Sequence, residues 1–585
     1  MDFRKTDHWV YDNLSEGFVF CIQRLDELFF DYTIDSYKPR ALNSPSLCFE
    51  LLNVINEVEN GNIDKNNIKY IIEELRLAVQ EDTVAKSLIN TNIDYFLSYN
   101  ETTSLSELSL RISVLERSLE RYRYIDRLKK CLYDAVKQNS KDKINSLLGN
   151  FVTTYINWGI SKKFLYQHFN KFFFNKSVEI DSEENLKLFF DKIFPKSHNY
   201  SVYFSVSKNI RLLQDSFKFF KIKIVEEIDA KLKAYLDKHN FKPNKGHIIV
   251  HLSKIMVPDP FVARDIAENR LKTLRNTSQL FFHASHLKWK RSAIVIQTCC
   301  ENESLIASNQ INPMKKSRNY KSNEVSKNTN KIFNNIALNG ESFEKFNRIM
   351  ELHSICLINS TPENQIVNLW TIIETLIPSS KNKSRVQCIC DAIIPILLLK
   401  YMNKLILNLF NDFNRWNKTK TSDYINEIES LSDNQLEKFS LLLACDQYEE
   451  KRQEIYKEFE NFALLRNRTY KISSILNSTK KLMNHIERHR LNVTWQIRRI
   501  YRTRNMIVHS GKTPKYINIL VENTHDYIDQ VISEVIEMTT SNYRINNLEQ
   551  AFEFGKILNS ELEKQVKKST KPEDYIPYLI SEIKI

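Results

Sequence analysis

The residues with the clearest chemical potential are Arg504 and His509, in the stretch Tyr501–Lys512 that reads YRTRNMIVHSGK. Their spacing is R-N-x-x-x-H. Arginine keeps its charge in proteins and binds phosphate through a planar fork of donors. Histidine titrates near neutral pH and can therefore accept or release a proton. A fixed cation close to an imidazole suits chemistry on a phosphate group.

A helix must position this pair. Apolar residues recur at steps of four and three and predict one helical face that includes Arg504, namely Val493, Ile497, Ile500, Arg504 and Ile507. A guanidinium on a buried face must find an acceptor or line an opening, because it cannot lose its proton there. His509 follows at the predicted helix end, where Ser510-Gly511 can terminate the helix. The spacing alone is weak evidence, since a second copy, Arg348 and His353, lies in a predicted mid-helix and is interpreted as coincidental.

Two segments carry a resemblance to a known family. Arg502–Gly511, RTRNMIVHSG, resembles the signature of HEPN domains, the higher-eukaryote and prokaryote nucleotide-binding helical family. Asn364–Pro378, NQIVNLWTIIETLIP, resembles the tryptophan- and glutamate-bearing helix of the ApeA-like branch of that family. The resemblance covers roughly Glu341 to Met538, and the two blocks occur in the family's order. Many HEPN domains are metal-independent endoribonucleases, often toxins or antiphage defence effectors, whereas other members bind without cutting.

The resemblance assigns roles to individual residues. It implies that Arg504 and His509 are the catalytic pair, that Asn505 is the polar residue that often follows the arginine, and that Glu374 is the acidic residue of the earlier helix. It also implies RNA cleavage to 2′,3′-cyclic phosphate and 5′-hydroxyl ends, no metal or other cofactor, and a homodimer with two signatures facing one cleft. Glu374 borders the predicted inward stripe of its helix, so it could accept a bidentate bond from Arg504. The alternative is a surface glutamate without a partner.

Composition favours a polyanionic partner and excludes some classes of site. The formal net charge of the 585-residue chain is +13, which suits RNA, although a composition rich in Lys, Asn and Ile could give the same charge without selection for binding. With only 8 glycines and no glycine-rich phosphate-loop motif, a nucleotide-binding fold of that type is excluded. The helix leading into the signature is strongly basic. We expect its cations, and one that follows the signature, to guide an RNA backbone: Arg498, Arg499, Arg502 and Lys512.

The pattern along the chain predicts a mainly α, multidomain protein with a small α+β domain in the middle. Residues 1–150 read as helices, and residues 151–300 as an α+β domain of about four strands. Residues 301–340 are polar and basic and predict a linker. Residues 341–545 form the HEPN-like helical domain, and residues 546–585 a final helix and tail.

Several features predict a cytoplasmic location. Nine scattered cysteines without a C-x-x-C pair favour a reducing compartment. No stretch approaches 18 apolar residues, and the N-terminus, MDFRKTDHWVYDN, has no apolar run, so neither a membrane span nor a signal peptide is expected.

The regions outside the HEPN-like domain are predicted to sense a phage-derived or regulatory trigger, choose the substrate or restrain the nuclease. The rival interpretation is a non-catalytic HEPN-type module that binds a nucleotide or RNA.

Overall fold

The computed structural model describes residues 4, 6–29, 40–100, 102–175, 179–283, 287–300, 302–308, 312–316, 321–359, 361–378, 382–430 and 433–580. The chain forms two compact units. The helical unit comprises Met1–Thr154, Asp181–Glu183 and Ile311–Ile585, and the sheet unit comprises Tyr155–Ile180 and Glu184–Gln310.

The first part of the helical unit is built from short helices with polar caps. Asn43 caps one helix with its side chain and is followed by a proline in the first turn, and Asp82 caps another through two backbone amides. The helices are α1 (Glu16–Phe29), α2 (Ser44–Glu59), α3 (Asn67–Glu81), α4 (Thr83–Leu88), α5 (Asp94–Leu97), α6 (Leu105–Ser118), α7 (Arg121–Lys137) and α8 (Lys141–Trp158), which belongs to this unit as far as Thr154.

The sheet unit contains an antiparallel sheet of five strands in the order β2-β3-β1-β4-β5. The strands are β1 (His198–Ser207), β2 (Ile222–Ile224), β3 (His247–Val257), β4 (Trp289–Gln297) and β5 (Asn302–Ala307). The helices are α9 (Lys162–Phe173), α10 (Glu184–Lys192), α11 (Phe217–Phe220), α12 (Ala230–Lys238) and α13 (Pro260–Phe281). Alternate residues of β4 pack in two separate clusters, Ala293 and Val295 with α13 and Ile294 with α12, as the period of two in a strand requires.

The rest of the helical unit contains the signature. Its helices are α14 (Ser322–Asn335), α15 (Gly340–Ile358), α16 (Pro362–Leu376), α17 (Arg385–Leu399), α18 (Tyr401–Asn426), α19 (Gln435–Ala444), α20 (Glu449–Glu458), α21 (Ala463–Leu476), α22 (Thr479–Asn505), α23 (Ile517–Thr540), α24 (Leu548–Lys568) and α25 (Pro572–Ile580). The signature helix α22 packs against α16 and α17. Trp370 of α16 is fully buried, and its ring centroid lies 5.5 Å from that of Tyr501 on α22.

The predicted fold class, mainly α with a small α+β region in the middle of the chain, is confirmed. The predicted linker is more structured than its composition indicates, because residues 302–307 form β5 and residues 322–335 form α14. One residue of β5, Ile306, is buried, and no side chain of α14 is buried. Because β5 and α14 bury so few side chains, their sequences carry no apolar periodicity that would predict a strand or a helix.

One stretch, Arg385–Asn426, is long and apolar enough to cross a membrane by length and composition. It comprises α17 and α18, and its most apolar window is 61% buried inside the fold. A largely buried apolar helix is typical of the core of a soluble protein.

Candidate active site

Arg504 and His509 lie on either side of a change in helix type. The α-helix α22 ends at Asn505, and Met506–Ser510 continue as a π turn that Gly511 closes with a φ of 63°. The prediction that Ser510-Gly511 terminates the helix is confirmed. Residues five apart in an α-helix lie about 140° apart around the axis. In a π turn the backbone hydrogen bonds join residues five apart, so the angle between Arg504 and His509 around the helix axis is smaller than in an α-helix.

The Arg504 guanidinium has few internal partners. Its Nη1 donates a hydrogen bond to Oδ1 of Asn505 over 3.0 Å, and its buried Nε has no hydrogen-bond partner. No carboxylate among the described residues forms an ion pair with it. Asn505 is buried, with 6% of its surface exposed. Asn505 thus holds one edge of the guanidinium, which has no carboxylate partner among the described residues.

His509 is exposed at the end of the π turn, and its ring makes no hydrogen bond to any residue that the structure describes. The neighbouring Val508 is also exposed, at 49%. An accessible imidazole without an internal partner can exchange protons with a bound molecule.

The segment after His509 is held by Glu57 of α2, which is 1% exposed. The Glu57 carboxylate accepts hydrogen bonds from Ser510 Oγ at 2.5 Å, Lys512 Nζ at 2.8 Å and Asn62 Nδ2 at 2.8 Å. The bonds from Lys512 and then Ser510 lower the pKa of Glu57 to about 2. Glu57 therefore stays ionised at neutral pH and fixes the loop that ends the signature.

Two arginines of α22 are structural, Arg499 just before the signature and Arg502 at its first position. Arg499 Nη2 lies 3.0 Å from Glu50 Oε2 and 2.5 Å from Glu74 Oε2, and Arg502 Nη2 lies 2.6 Å from Glu50 Oε1. Burial alone would raise the pKa of Glu50, but Arg499 and Arg502 outweigh it and lower that pKa. Glu50 and Glu74 belong to α2 and α3. These buried pairs explain why the N-terminal helices, predicted as a separate region, share a compact unit with the signature helix.

The prediction that Arg498, Arg499 and Arg502 contact RNA is wrong, because they are only 4%, 2% and 1% exposed. The guanidinium of Arg498 stacks on the ring of Tyr70 at 3.5 Å from its centroid and donates a hydrogen bond to Gln387. Lys512 differs, since its side chain is 60% exposed while it pairs with Glu57. It stays available at the surface.

Glu374 does not form the predicted bond with Arg504. Its side chain is half-buried and makes no hydrogen bond or ion pair with a described residue. Arg385 instead donates hydrogen bonds to carbonyls in the last turn of α16 and just beyond it, those of Glu374, Ile377 and Pro378. These contacts agree with the alternative prediction, that Glu374 is a surface glutamate without a partner.

The second R-x-x-x-x-H copy has a different environment. Arg348 is exposed and pairs with Glu351 on its own helix at 3.1 Å. His353 lies in the same α-helix, α15, and its Nε2 is 3.1 Å from Nε2 of His525. No change in helix type separates Arg348 from His353.

A cavity of about 580 Å³ lies along α22 before the signature. Its polar lining includes Arg40, Glu81, Tyr401, His485, His489 and Arg499, and Arg504 and His509 are absent from it. The cavity and the candidate site are therefore distinct features of the helical unit.

Metal-ligating side chains gather elsewhere in the described part of the chain. Two groups of three occur, one of His198, Cys299 and Cys300 and one of His353, His525 and Asp529, and neither includes Arg504 or His509. The chemistry that the candidate site offers is thus proton transfer by an imidazole beside a fixed cation.

Comparison of the chain with protein-family models, with curated proteins and with solved structures finds no match in any of the three.

Proposed function

We propose that this protein is a metal-independent endoribonuclease of HEPN type, with Arg504 and His509 as its catalytic residues. The observation that carries the proposal is a contrast within one helix. Arg499 and Arg502 are paired with buried carboxylates, whereas Arg504 bonds only to Asn505 among the residues that the structure describes and stands before an exposed His509. A cation left without a carboxylate in a packed helix, five residues before an accessible imidazole, supports a phosphate-binding and proton-transferring role.

The proposed reaction uses the RNA's own nucleophile. The 2′-hydroxyl oxygen forms a bond to the adjacent phosphorus, and the bond between that phosphorus and the 5′-oxygen of the next nucleotide breaks. The 2′-hydroxyl proton leaves and the departing 5′-oxygen gains one, so no water and no oxidant is consumed. His509 moves a proton in this exchange, and Arg504 holds the phosphate and stabilises the charge that builds on it. Asn505 orients the guanidinium.

We propose that RNA approaches over three cations, two that follow the signature in the chain and one from α7. Lys512 is exposed. Partial burial and the like charge of Arg121 lower the pKa of Lys515, so Lys515 and Arg121 lie near each other. Arg121 lies over the ring of Phe49 on α2, the helix that also carries Glu57. Lys512, Lys515 and Arg121 thus replace the buried arginines of α22 as candidate backbone contacts.

The biological setting is part of the same proposal. We propose a cytoplasmic toxin-like or antiphage effector that acts as a homodimer through its HEPN-like domain, with the remaining regions responding to a phage-derived or regulatory trigger. The support is the resemblance of Arg502–Gly511 and Asn364–Pro378 to the ApeA-like branch.

The test is cleavage of a labelled RNA by the purified full-length protein in excess EDTA. We expect cleavage to continue, because Arg504 and His509 need no metal for the proposed chemistry. RNA binding without cleavage under all conditions would favour the rival, non-catalytic module. Cleavage that stops in EDTA and returns with Mg²⁺ or Mn²⁺ would contradict the mechanism.

A further inference from the structure

Three metal-ligating side chains converge between α15 and α23 of the helical unit. Nε2 of His353 and Nε2 of His525 are 3.1 Å apart. One oxygen of Asp529 lies 3.3 Å from the His353 nitrogen, and its other oxygen lies 3.2 Å from the His525 nitrogen. His353 belongs to α15, and the other two belong to α23.

The local structure explains this convergence. His525 and Asp529 are four residues apart, so their side chains lie on one face of α23. The side chain of His525 is 3% exposed, while those of His353 and Asp529 are 23% and 41% exposed. His525 is thus fixed in the core, whereas His353 and Asp529 are partly exposed, so a metal ion can reach the three side chains from solvent.

The separations fit a tetrahedral zinc ion. Zn–N bonds of about 2.0–2.1 Å and Zn–O bonds of about 2.0–2.2 Å put neighbouring ligand atoms of a tetrahedron roughly 3.3 Å apart. The two imidazole nitrogens are 3.1 Å apart, close to that separation. Asp529 Oδ1 lies 3.3 Å from the His353 nitrogen and Oδ2 lies 3.2 Å from the His525 nitrogen, so a small rotation of the carboxylate would bring one oxygen towards both nitrogens as the third ligand atom. Two imidazoles and a carboxylate are a donor set that Zn²⁺ accepts in proteins, with a solvent molecule in the fourth position.

We propose that His353, His525 and Asp529 form a Zn²⁺ site that joins α15 to α23. The proposal is independent of the ribonuclease activity, because none of the three residues belongs to the candidate active site. Zinc bound there would stabilise the folded helical unit, since the unfolded chain does not hold the three donors together.

A second cluster in the same chain would confuse a simple binding measurement. In the sheet unit, Cys299 and Cys300 are both exposed, and their sulfurs are 3.6 Å apart. His198 Nδ1 lies 3.2 Å from Cys299 Sγ. The test therefore uses the full-length chain with Cys299→Ser and Cys300→Ser as its background.

The experiment is calorimetric titration of that protein with Zn²⁺ after EDTA treatment and removal of the chelator, together with melting curves with and without Zn²⁺. We expect one Zn²⁺ per chain and a higher melting temperature with metal. His353→Ala and Asp529→Asn should each lower the affinity by at least about a hundredfold, more than the loss of a group that only orients a ligand. Arg348→Ala, on the same helix as His353, should leave it unchanged.

Two results would overturn the proposal: no Zn²⁺ binding in the double-serine background, or equal affinity in the Asp529→Asn variant. The Asp529 side chain is 41% exposed, so this variant keeps the test valid if His353→Ala fails to fold. The Co²⁺ form should show a tetrahedral spectrum without a thiolate charge-transfer band. RNA cleavage in EDTA is measured in parallel, so failure of the zinc site and failure of the ribonuclease proposal are distinguishable.

Discussion

Two neighbouring turns of α22 use arginine in opposite ways. Arg499 and Arg502 are 2% and 1% exposed and share Glu50 as a partner. Arg504 is only half-buried, bonds to Asn505 and precedes an exposed histidine. The first pair anchors the helix on the N-terminal helices, whereas Arg504 forms no ion pair with a carboxylate among the described residues. This basic helix therefore has a structural part, where carboxylates reach its arginines, and a second part, at Arg504, for which we propose the reactive role.

The largest expected effect concerns the reactive part. Arg504→Ala should lower RNA cleavage by about 10²–10³-fold, because it removes the charge that stabilises the transition state. His509→Ala should cost about 10²–10⁴-fold through lost proton transfer. Initial rates on a labelled RNA check both, and melting temperatures close to that of the wild type would confirm that both variants fold.

Arg348→Ala is the matched control, because Arg348 occupies the same place in the second R-x-x-x-x-H copy. Its cleavage rate should stay within a few-fold of the wild type. Wild-type cleavage rates in folded Arg504→Ala and His509→Ala proteins would show that neither residue takes part in cleavage.

The next effect concerns the structural part. Glu50→Gln leaves Arg499 and Arg502 buried with one carboxylate fewer, and breaking a buried ion pair typically costs about 3–5 kcal/mol of unfolding free energy. Denaturant unfolding measures the loss. Glu107→Gln is the control, since Glu107 is 64% exposed and lies 3.8 Å from Arg111, and it should change stability by less than about 1 kcal/mol. Equal effects in the two variants would show that the buried network contributes no more than a surface pair.

Glu57→Gln tests the link between the N-terminal helices and the candidate site. Losing charge-assisted hydrogen bonds to Ser510 and Lys512 should cost about 1.5–3 kcal/mol. It should also slow cleavage, though less than His509→Ala, because the loop after His509 loses its anchor. Unfolding free energies and initial rates check the two effects. Unchanged rates would show that Glu57 supports only the fold.

The pH dependence of stability supplies a second readout for Glu57. Its pKa falls from 4.5 to about 2 in the folded protein, so the unfolded chain binds the proton first as the solution is acidified. The stabilisation is therefore complete above about pH 4.5 and is lost as the pH falls towards 2. Stability curves of the wild type and Glu57→Gln should converge over that window. Parallel curves would contradict the assigned pKa.

The smallest effect is expected at Glu374. Its side chain has no partner among the described residues, so Glu374→Gln should change stability by less than about 0.5 kcal/mol. Its effect on stability and cleavage should add to that of Arg504→Ala, because residues that do not touch usually contribute independently. A double-mutant cycle measures this. A coupling above about 1 kcal/mol would restore Glu374 as the partner of Arg504.

The sequence was sufficient for features that depend on local patterns. The apolar stripe through Ile497 and Ile500, the glycine that ends the signature and the proline that begins α16 all predicted elements that the structure contains. These signals act within a few turns of chain, where periodicity and backbone preferences determine the structure.

The partners of the signature helix were not predictable in the same way. Glu57 is 453 residues from Ser510, and Glu74 is 425 residues from Arg499. Each occupies an ordinary position in a helix, and no local pattern marks which distant arginine it will meet. The assignment of Arg499 and Arg502 to RNA binding failed for this reason, since a basic run looks the same whether its partners are carboxylates or phosphates.

The most direct test of the central claim is the chemistry of the RNA ends that the purified wild-type protein produces in EDTA. Attack by the 2′-hydroxyl, with His509 moving the proton and Arg504 holding the phosphate, predicts 2′,3′-cyclic phosphate and 5′-hydroxyl ends. The Arg504→Ala variant should form both about 10²–10³-fold more slowly. Products with 3′-hydroxyl and 5′-phosphate ends would contradict the account, because they require attack by water.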